Sequence, residues 1–514
     1  IGSAGYLIST FLVRKTNLRS DRWGGSWENR MRLPLEVVRA VRAAVGPDFM
    51  VIFRISAMDM LEGGLAWEEV VSLARSLESA DVNILSTHFC WHEARVPTIA
   101  TMVPRAAFAS VTGRLRRVVR IPVITSNRIN MPQVAEAVLA RGDADLVSMA
   151  RPMLADPELV NKAREGREDE INTCIGCNQA CLDHTFSGHK QVTCLVNPRA
   201  CNETRLNLSP AARKKRIAVV GAGPAGLAFA TAAAQRGHAV TLFDKASEIG
   251  GQFNLAKRIP GKEEFHETLR YFARMIAKLD ITQRLNTVVD ASMLKTGGFD
   301  EVVIATGVSP RVPDLPGLDN PKVVPYIDAI LGRKPIGKRV AIMGAGGIGF
   351  DVASLITHDG VSPALDVDSF AREWGIDFQN HPRGGVTGVV PQIARADREV
   401  WLMQRKATAV GRNLGRTTGW THRMVLQRRG VHMVSGVEYR KIDAAGLHTR
   451  VNGESRVFDV DTIIVCAGQK PLRTLYEELQ KEGVRARLVG GADEAAELDA
   501  KRAIDQATRM AAEV

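Results

Sequence analysis

The chain has 514 residues, 45% of them apolar and 24% charged, and its 68 Lys and Arg outnumber 56 Asp and Glu for a net charge of +12. At ~150 residues per domain the length allows about three domains, and the composition excludes a disordered chain, a collagen-like chain and a disulfide scaffold. No run of about 18 apolar residues predicts a membrane span. No basic block is interleaved with aromatics, so the positive charge points to phosphorylated cofactors and not to nucleic acid.

The chain opens on Ile1-Gly2-Ser3-Ala4-Gly5-Tyr6, without Met and already inside a pattern, and is expected to be a piece of a longer one. Residues 1–170 read as repeating β–α units. Strands are expected at Val51–Ser56, Val82–Thr87, Ile121–Ser126 and Asp145–Ala150, with helices at Pro34–Val45, Trp67–Ser79 and Pro132–Arg141. Arg54, Thr87–His92, Asn127-Arg128 and Arg151 follow strand ends, which is where a (β/α)8 barrel carries its active site. Four strands make the C-terminal half of such a barrel.

Residues 171–213 lack periodicity and hold five of the seven cysteines, Cys174 to Cys201. A chain of this size needs no disulfide staples, so the cluster points to a metal site in a reducing compartment. Cys174, Cys177, Cys181 and Cys194 could bind either a [4Fe–4S] cluster or a structural zinc, with Cys201 as the rival fourth ligand. Cys90 and Cys466 read as small buried hydrophobes.

A strand over Lys214–Val220 runs into Gly221-Ala222-Gly223-Pro224-Ala225-Gly226 and an apolar helix, Leu227–Gln235. The glycines allow a pyrophosphate to approach the helix N-terminus. Asp244, 23 residues after Gly221, stands where a carboxylate meets a ribose hydroxyl, and Gln252 extends the loop beside it. A second unit begins at Arg339–Met343 with Gly344, Gly346 and Gly349, and its next strand, Glu399–Met403, ends at Gln404-Arg405-Lys406. Arg405 and Lys406 attract a 2′-phosphate where an acid would repel it, which favours NADPH over NADH. Arg405 lies 56 residues after Gly349, so residues 359–397 are expected to loop out as an insertion. Val457–Gly468 reads as a strand, and Gly490-Gly491-Ala492-Asp493 precedes a helix over Ala495–Met510.

Two such units in tandem predict one bound flavin and one transient pyridine nucleotide. They set an FAD-binding domain over 214–335 and 469–514 and an NADPH-binding domain over 336–468. The Cys linker then joins a flavin barrel to a hydride-accepting module, and that position favours the one-electron cluster over zinc. In the barrel half, Arg128 and Arg151 are candidates for a flavin phosphate, and Arg54 for the negative charge of a reduced flavin. Tyr6 and His92 are the candidate proton-transfer residues, because a tyrosine holds its proton at pH 7 (ordinary pKa ~10) and a histidine can donate or polarise a carbonyl.

Together, Gly5–Ile8, Arg19–Gly25, Trp91-His92-Glu93-Ala94-Arg95 and Asn172–Cys181 resemble the bacterial NADPH-dependent 2,4-dienoyl-CoA reductases, relatives of old yellow enzyme. The resemblance spans essentially the whole chain. It implies FMN in a barrel, a [4Fe–4S] cluster, FAD, and electrons passing from NADPH through FAD and cluster to FMN and a dienoyl thioester. It implies Tyr6 as proton donor with His92 as its partner, Cys174, Cys177, Cys181 and Cys194 as cluster ligands, and Arg54, Arg128 and Arg151, with Ala150 beside them, as FMN contacts. It also implies a bacterial cytoplasmic enzyme of unsaturated fatty-acid β-oxidation that acts on acyl-CoA, without an obligate protein partner. The family's earlier barrel strands have no counterpart here. An enoate reductase, an amine dehydrogenase or demethylase of the same architecture, and a non-catalytic electron-transfer flavoprotein are the competing readings.

Overall fold

β-Branched and aromatic residues at alternate positions favour a pleated strand with one face buried, and the run Ile52-Phe53-Arg54-Ile55 has this alternation. The computed structural model describes residues 1–3, 5–496 and 499–514. They form two compact units, Ile1–Met153 with Val361–Ile393, and Leu154–Gly360 with Ala394–Val514.

In the first unit a five-stranded sheet follows chain order: β1 (Gly2–Ser3), β2 (Ile52–Met58), β3 (Ile84–Phe89), β4 (Val123–Thr125) and β5 (Leu146–Val147). Every pairing is parallel. Helices α1 (Leu7–Leu12), α2 (Trp27–Val45), α3 (Trp67–Glu78), α4 (Ala109–Arg116), α5 (Pro132–Ala140) and α6 (Arg151–Ala155) alternate with the strands. One face of β2 and β3 buries Phe53, Ile55 and Leu85 against Leu73 and Leu77 of α3. Full burial of each such side chain stabilises by roughly 1.5–3 kcal/mol. Arg54 stands on the opposite, exposed face of β2.

Two local expectations shift. α2 starts at Trp27 and not at Pro34, because the Ser26 side chain caps it by accepting from the Asn29 amide. β1 adds a strand before the four expected ones; two residues are too few to show a period.

The segment expected to loop out as an insertion, 359–397, does leave the second unit, and over Val361–Ile393 it folds with the first. Its helix Val367–Trp374 buries Phe370, Ala371 and Trp374. Phe370 and Phe378 both meet the Phe108 ring edge-on, at centroid distances of 6.4 and 5.7 Å. The backbone of Gly384 accepts from Met60 N (2.9 Å) and donates to Leu65 O (2.8 Å), and Arg383 pairs with Glu69 at 2.7 Å. An apolar stripe on a short helix must be buried, and Phe108, at the end of the β3–α4 connection, covers part of it.

The second unit holds two parallel sheets. In the first, β6 (Arg216–Val220) lies between β7 (Ala239–Phe243) and β9 (Glu301–Ile304), with β8 (Thr282–Arg284) and the strand Ala486–Leu488 at the edges. In the second, Arg339–Met343 lies between Thr462–Val465 and Glu399–Met403, flanked by Val323–Pro325 and His432–Val434. Val457–Gly468 is not one strand. Its start ends the antiparallel strand Glu454–Phe458, and Thr462–Val465 then enters the parallel sheet. The last helix runs Ala500–Glu513, capped by Asp499, and so starts later than 495; residues 497 and 498 of the expected helix lie outside the described residues. Among the described residues, no helix is long and apolar enough to cross a membrane.

Candidate functional site

In the first unit, Tyr6 is the residue that precedes α1, and His92 lies on the loop leaving β3. The chain brings them together: Tyr6 Oη and His92 Nε2 are hydrogen-bonded at 2.7 Å, with their rings edge-on at 5.1 Å. Tyr6 is 63% exposed, so its phenol is open to a reactant.

The base of this corner is rigid. Asp59, 1% exposed, accepts from Ser56 Oγ (2.5 Å), Leu65 N (2.7 Å) and Trp91 Nε1 (2.9 Å). Burial pushes its carboxyl up, and these three donors oppose the shift. Trp91 N also donates to Asp59 O, so the residue preceding His92 is held at two points. Gly5 has φ +79°, and a Cβ on it would sit 3.5 Å from Trp91, so the turn carrying Tyr6 packs on the same indole.

Arg54 Nη2 lies 3.2 Å from His88 Nδ1, and His88 Nε2 lies 2.9 Å from the Cys90 carbonyl. Guanidinium only donates, so Nδ1 accepts and Nε2–H donates to Cys90. Burial, with the Arg54 charge second, lowers His88 to about 4, so it is neutral near pH 7. Arg54–His88 and Tyr6–His92 are thus two bonded pairs, on β2–β3 and on the segments that follow β1 and β3.

Arg128 and Arg151 tie down the loop after β3. Arg128 Nε donates to Val103 O at 2.9 Å, and Arg151 Nη2 donates to Ile99 O at 2.6 Å. Asn127 and Arg128 both have positive φ (72° and 56°), a costly backbone for two successive non-glycine residues. Ala150, exposed, precedes Arg151. An exposed Arg54 and two arginines at the ends of β4 and β5 suit the phosphate and reduced ring of a flavin mononucleotide.

In the second unit, Cys174 is buried and Cys177 and Cys194 pack against the same core. Burial, and then Cys194, Cys174 and Cys181, push the Cys177 thiol well up; burial and Cys174 push Cys194 to about 12. These four thiols therefore lie within one another's field, whereas Cys201 is exposed. Among the described residues, no three His, Cys, Asp or Glu side chains are grouped to hold a metal ion. Tetrahedral zinc, with Zn–S about 2.3 Å, needs sulfurs about 3.8 Å apart. A multi-iron cluster spreads its ligands wider, and the four thiols, Cys174 buried and the other three partly exposed, are a donor set of the type such a cluster takes.

The first fingerprint closes on itself. Gly221 has φ +113°, and a Cβ there would lie 2.3 Å from Ala305 O; one on Gly226 would lie 1.8 Å from Gly221 O. Gly223 precedes the helix Pro224–Gln235, whose Pro224 and Ala225 open the first turn. Asp244 accepts from Ala222 N (2.6 Å) and Ala246 N (2.8 Å) at the end of β7. Gln252 bonds Tyr326. Asp493 accepts from Gln506 Nε2 at 2.7 Å, and Gly490 lies against Ala225. The glycine cradle over a helix N-terminus, with Asp244 below it, fits an adenine dinucleotide.

At the second fingerprint, Gly344 and Gly346 line a cavity of about 780 Å³ together with Arg405, Lys406, Arg311 and Arg412. Arg405 meets the glycines because the strand Glu399–Met403 pairs in parallel with Arg339–Met343, so the two strand ends share one edge. Gly349 does not line the cavity; its bare Cα lets the helix pack on Gly344. Burial pushes the Tyr439 phenol up and the Arg405 guanidinium opposes it, which locates Arg405 against this cavity wall.

Sequence reasoning missed Asp59, Arg311 and Arg412, and placed His88 only within the polar strand end Thr87–His92, without a role of its own. The lone acid of Met58-Asp59-Met60 was a readable signal, because an acid inside an apolar run must find donors. The contact of His88 with Arg54 had none, since the two lie 34 residues apart.

Residues 1–170 match the NADH:flavin oxidoreductase / NADH oxidase family, and residues 215–491 match the pyridine nucleotide-disulphide oxidoreductases. A metal reductase of Desulforamulus reducens is 36% identical over 96% of this chain and 73% of its own length. A cinnamate reductase of Clostridium sporogenes is 27% identical over 95% and 70%. The solved complex of a 2-naphthoyl-CoA reductase with 2-naphthoyl-CoA has a TM-score of 0.88 at 29% identity, covering 100% of this chain and 73% of that one. These likenesses carry a flavin-dependent oxidoreductase with FMN and FAD/NAD(P)-binding domains, and do not single out the dienoyl-CoA reductases that the motifs resemble. The chain belongs to the NADH:flavin oxidoreductase / NADH oxidase family, in the form that carries a pyridine nucleotide-disulphide oxidoreductase module behind the flavin domain.

Proposed function

We propose that the protein reduces the conjugated C=C bond of a CoA thioester at the expense of NADPH, with 2,4-dienoyl-CoA as substrate class and β-oxidation of unsaturated acyl chains in a bacterial cytoplasm as setting. The observation that carries this is the exposed Tyr6 phenol bonded to His92 at 2.7 Å beside the cationic Arg54. The 2-naphthoyl-CoA reductase and cinnamate reductase likenesses support a conjugated acceptor. NADPH, FAD, a [4Fe–4S] cluster and FMN, when bound, supply two-electron delivery, one-electron transfer and hydride donation.

The chain's own residues do the rest. Tyr6 delivers the proton that completes addition across the double bond. His92 orients the phenol and lies where it can polarise the thioester carbonyl. Arg54, aimed by neutral His88, compensates negative charge on the flavin, and Arg128 and Arg151 secure its phosphate. Cys174, Cys177, Cys181 and Cys194 would hold the cluster. Gly221, Gly223, Gly226 and Asp244 would hold FAD; Arg405 and Lys406 would hold the 2′-phosphate of NADPH.

Anaerobic NADPH consumption is compared with 2,4-dienoyl-CoA, a free 2-enoate and a methylated amine as sole second substrates. Preference for the thioester supports the proposal. Turnover of only the free acid, or oxidation of only the amine, overturns it in favour of a sister enzyme.

A further inference from the structure

Residues 404–418, between the strand Glu399–Met403 and the helix Gly419–Arg428, form no helix or strand. Arg412, Asn413 and Leu414 of this loop line the 780 Å³ cavity. Its far end is held by the cysteine segment. Asp183 Oδ1 accepts from both Thr417 N (2.8 Å) and Thr417 Oγ1 (2.7 Å). The next residue of the loop towards the cavity, Arg416, donates from its guanidinium to the Phe186 carbonyl. Gly415 makes the approach possible, since a Cβ there would lie 2.9 Å from Asp183 Oδ2. Asp183 is itself fixed two residues after Cys181, its amide donating to Asn178 O at 3.0 Å.

We propose that Asp183 is a positioning residue for the pyridine nucleotide: it anchors the loop that presents Arg412 to the cavity, so the cysteine segment preorganises nucleotide binding. Asp183 does not line the cavity. It acts by lowering the ordering cost that a free loop would meet on binding. A carboxylate oxygen shared by two donors has the strength to do so. This rests on the dinucleotide reading of the cavity and is independent of which acceptor is reduced.

The test is a calorimetric titration of the purified protein with NADP⁺, with no thioester present. Asp183→Ala is expected to weaken binding about tenfold. Asp183→Asn keeps an oxygen for both Thr417 donors and is expected to stay within about twofold, whereas Thr417→Val loses one donor and falls between, at about threefold. With ferricyanide as electron acceptor, each NADPH reduces two ferricyanides and releases NADP⁺ and a proton; Asp183→Ala should raise KM for NADPH and leave kcat unchanged. Unchanged affinity in Asp183→Ala, or equal losses in Asp183→Ala and Asp183→Asn, overturns the tether. If Asp183→Ala does not fold, Thr417→Val against Asp183→Asn decides in the same way. Absence of NADP⁺ binding to the unsubstituted protein would instead overturn the dinucleotide reading itself.

Discussion

The Tyr6–His92 corner of the first unit and the fingerprints of the second solve the same problem, rigid placement of polar groups, by opposite means. At Gly221–Gly226 the positions are set by backbone, and neighbours in sequence are neighbours in space. At the corner, Tyr6 and His92 are 86 residues apart, and the rigidity is supplied by a third group, Asp59, through its bonds to Trp91. A site built on backbone tolerates side-chain change except at its glycines. A site built on side chains depends on buried donors and acceptors, whose loss is felt at a distance.

The sharpest way to break the comparison is through the cysteine set of the second unit. Cys177→Ser removes a buried thiol from the set of four. NADPH-driven reduction of the thioester is expected to fall by about a hundredfold or more, with iron and acid-labile sulfide lost in parallel, while NADPH oxidation by ferricyanide survives. Full thioester turnover with iron absent would remove the cluster from the mechanism. Next, Tyr6→Phe is expected to lower thioester turnover by about 10²–10⁴-fold, the usual contribution of a general acid. Flavin reduction by NADPH, followed by stopped flow, should not change.

Asp59 tests the corner's foundation. Asp59→Ala strands Ser56 Oγ, Leu65 N and Trp91 Nε1 in a buried space. The expected destabilisation is about 3 kcal/mol, read by denaturant unfolding, with thioester turnover down by about tenfold as the Trp91–His92 loop loosens. An active-site loop unaffected by this loss would show that Trp91 packing alone holds His92.

What could be read beforehand follows the same division. Strand–glycine–helix runs were legible because each expresses a local period and a local turn. The cysteine spacing picks out four candidates, and exposure alone separates Cys194 from Cys201. The Tyr6–His92 pair was legible through short motifs, not through spacing. The partner of 361–393 was not: Phe370 and Trp374 announce a buried face, but nothing in their spacing says that Phe108, more than 250 residues earlier, helps cover it. The Trp91 partner of Asp59 and the Arg54 partner of His88 were out of reach for the same reason, since a long-range partner is a property of the folded topology.

The smallest effect concerns protons. Burial and Arg54 hold His88 at about 4, below the ordinary histidine value of about 6.5. Between those values the unfolded chain binds a proton that the folded chain does not, so this stabilisation is complete above pH 6.5 and is lost as pH falls to 4, by at most about 3 kcal/mol. Glu170 in the second unit behaves differently. Burial would raise it, but hydrogen bonds from Lys278 and Arg167 bring it to about 2, so its contribution is lost between pH 4.5 and 2. His381 and His422 are also lowered to about 4, which makes a single-site variant necessary. His88→Asn keeps an acceptor for Arg54 and does not titrate. It should flatten the stability profile between pH 6.5 and 4 and leave the fall below 4.5 that belongs to Glu170. An unchanged slope in the upper window would mean that His88 is protonated in the folded protein, and Arg54 would then lose its Nδ1 acceptor.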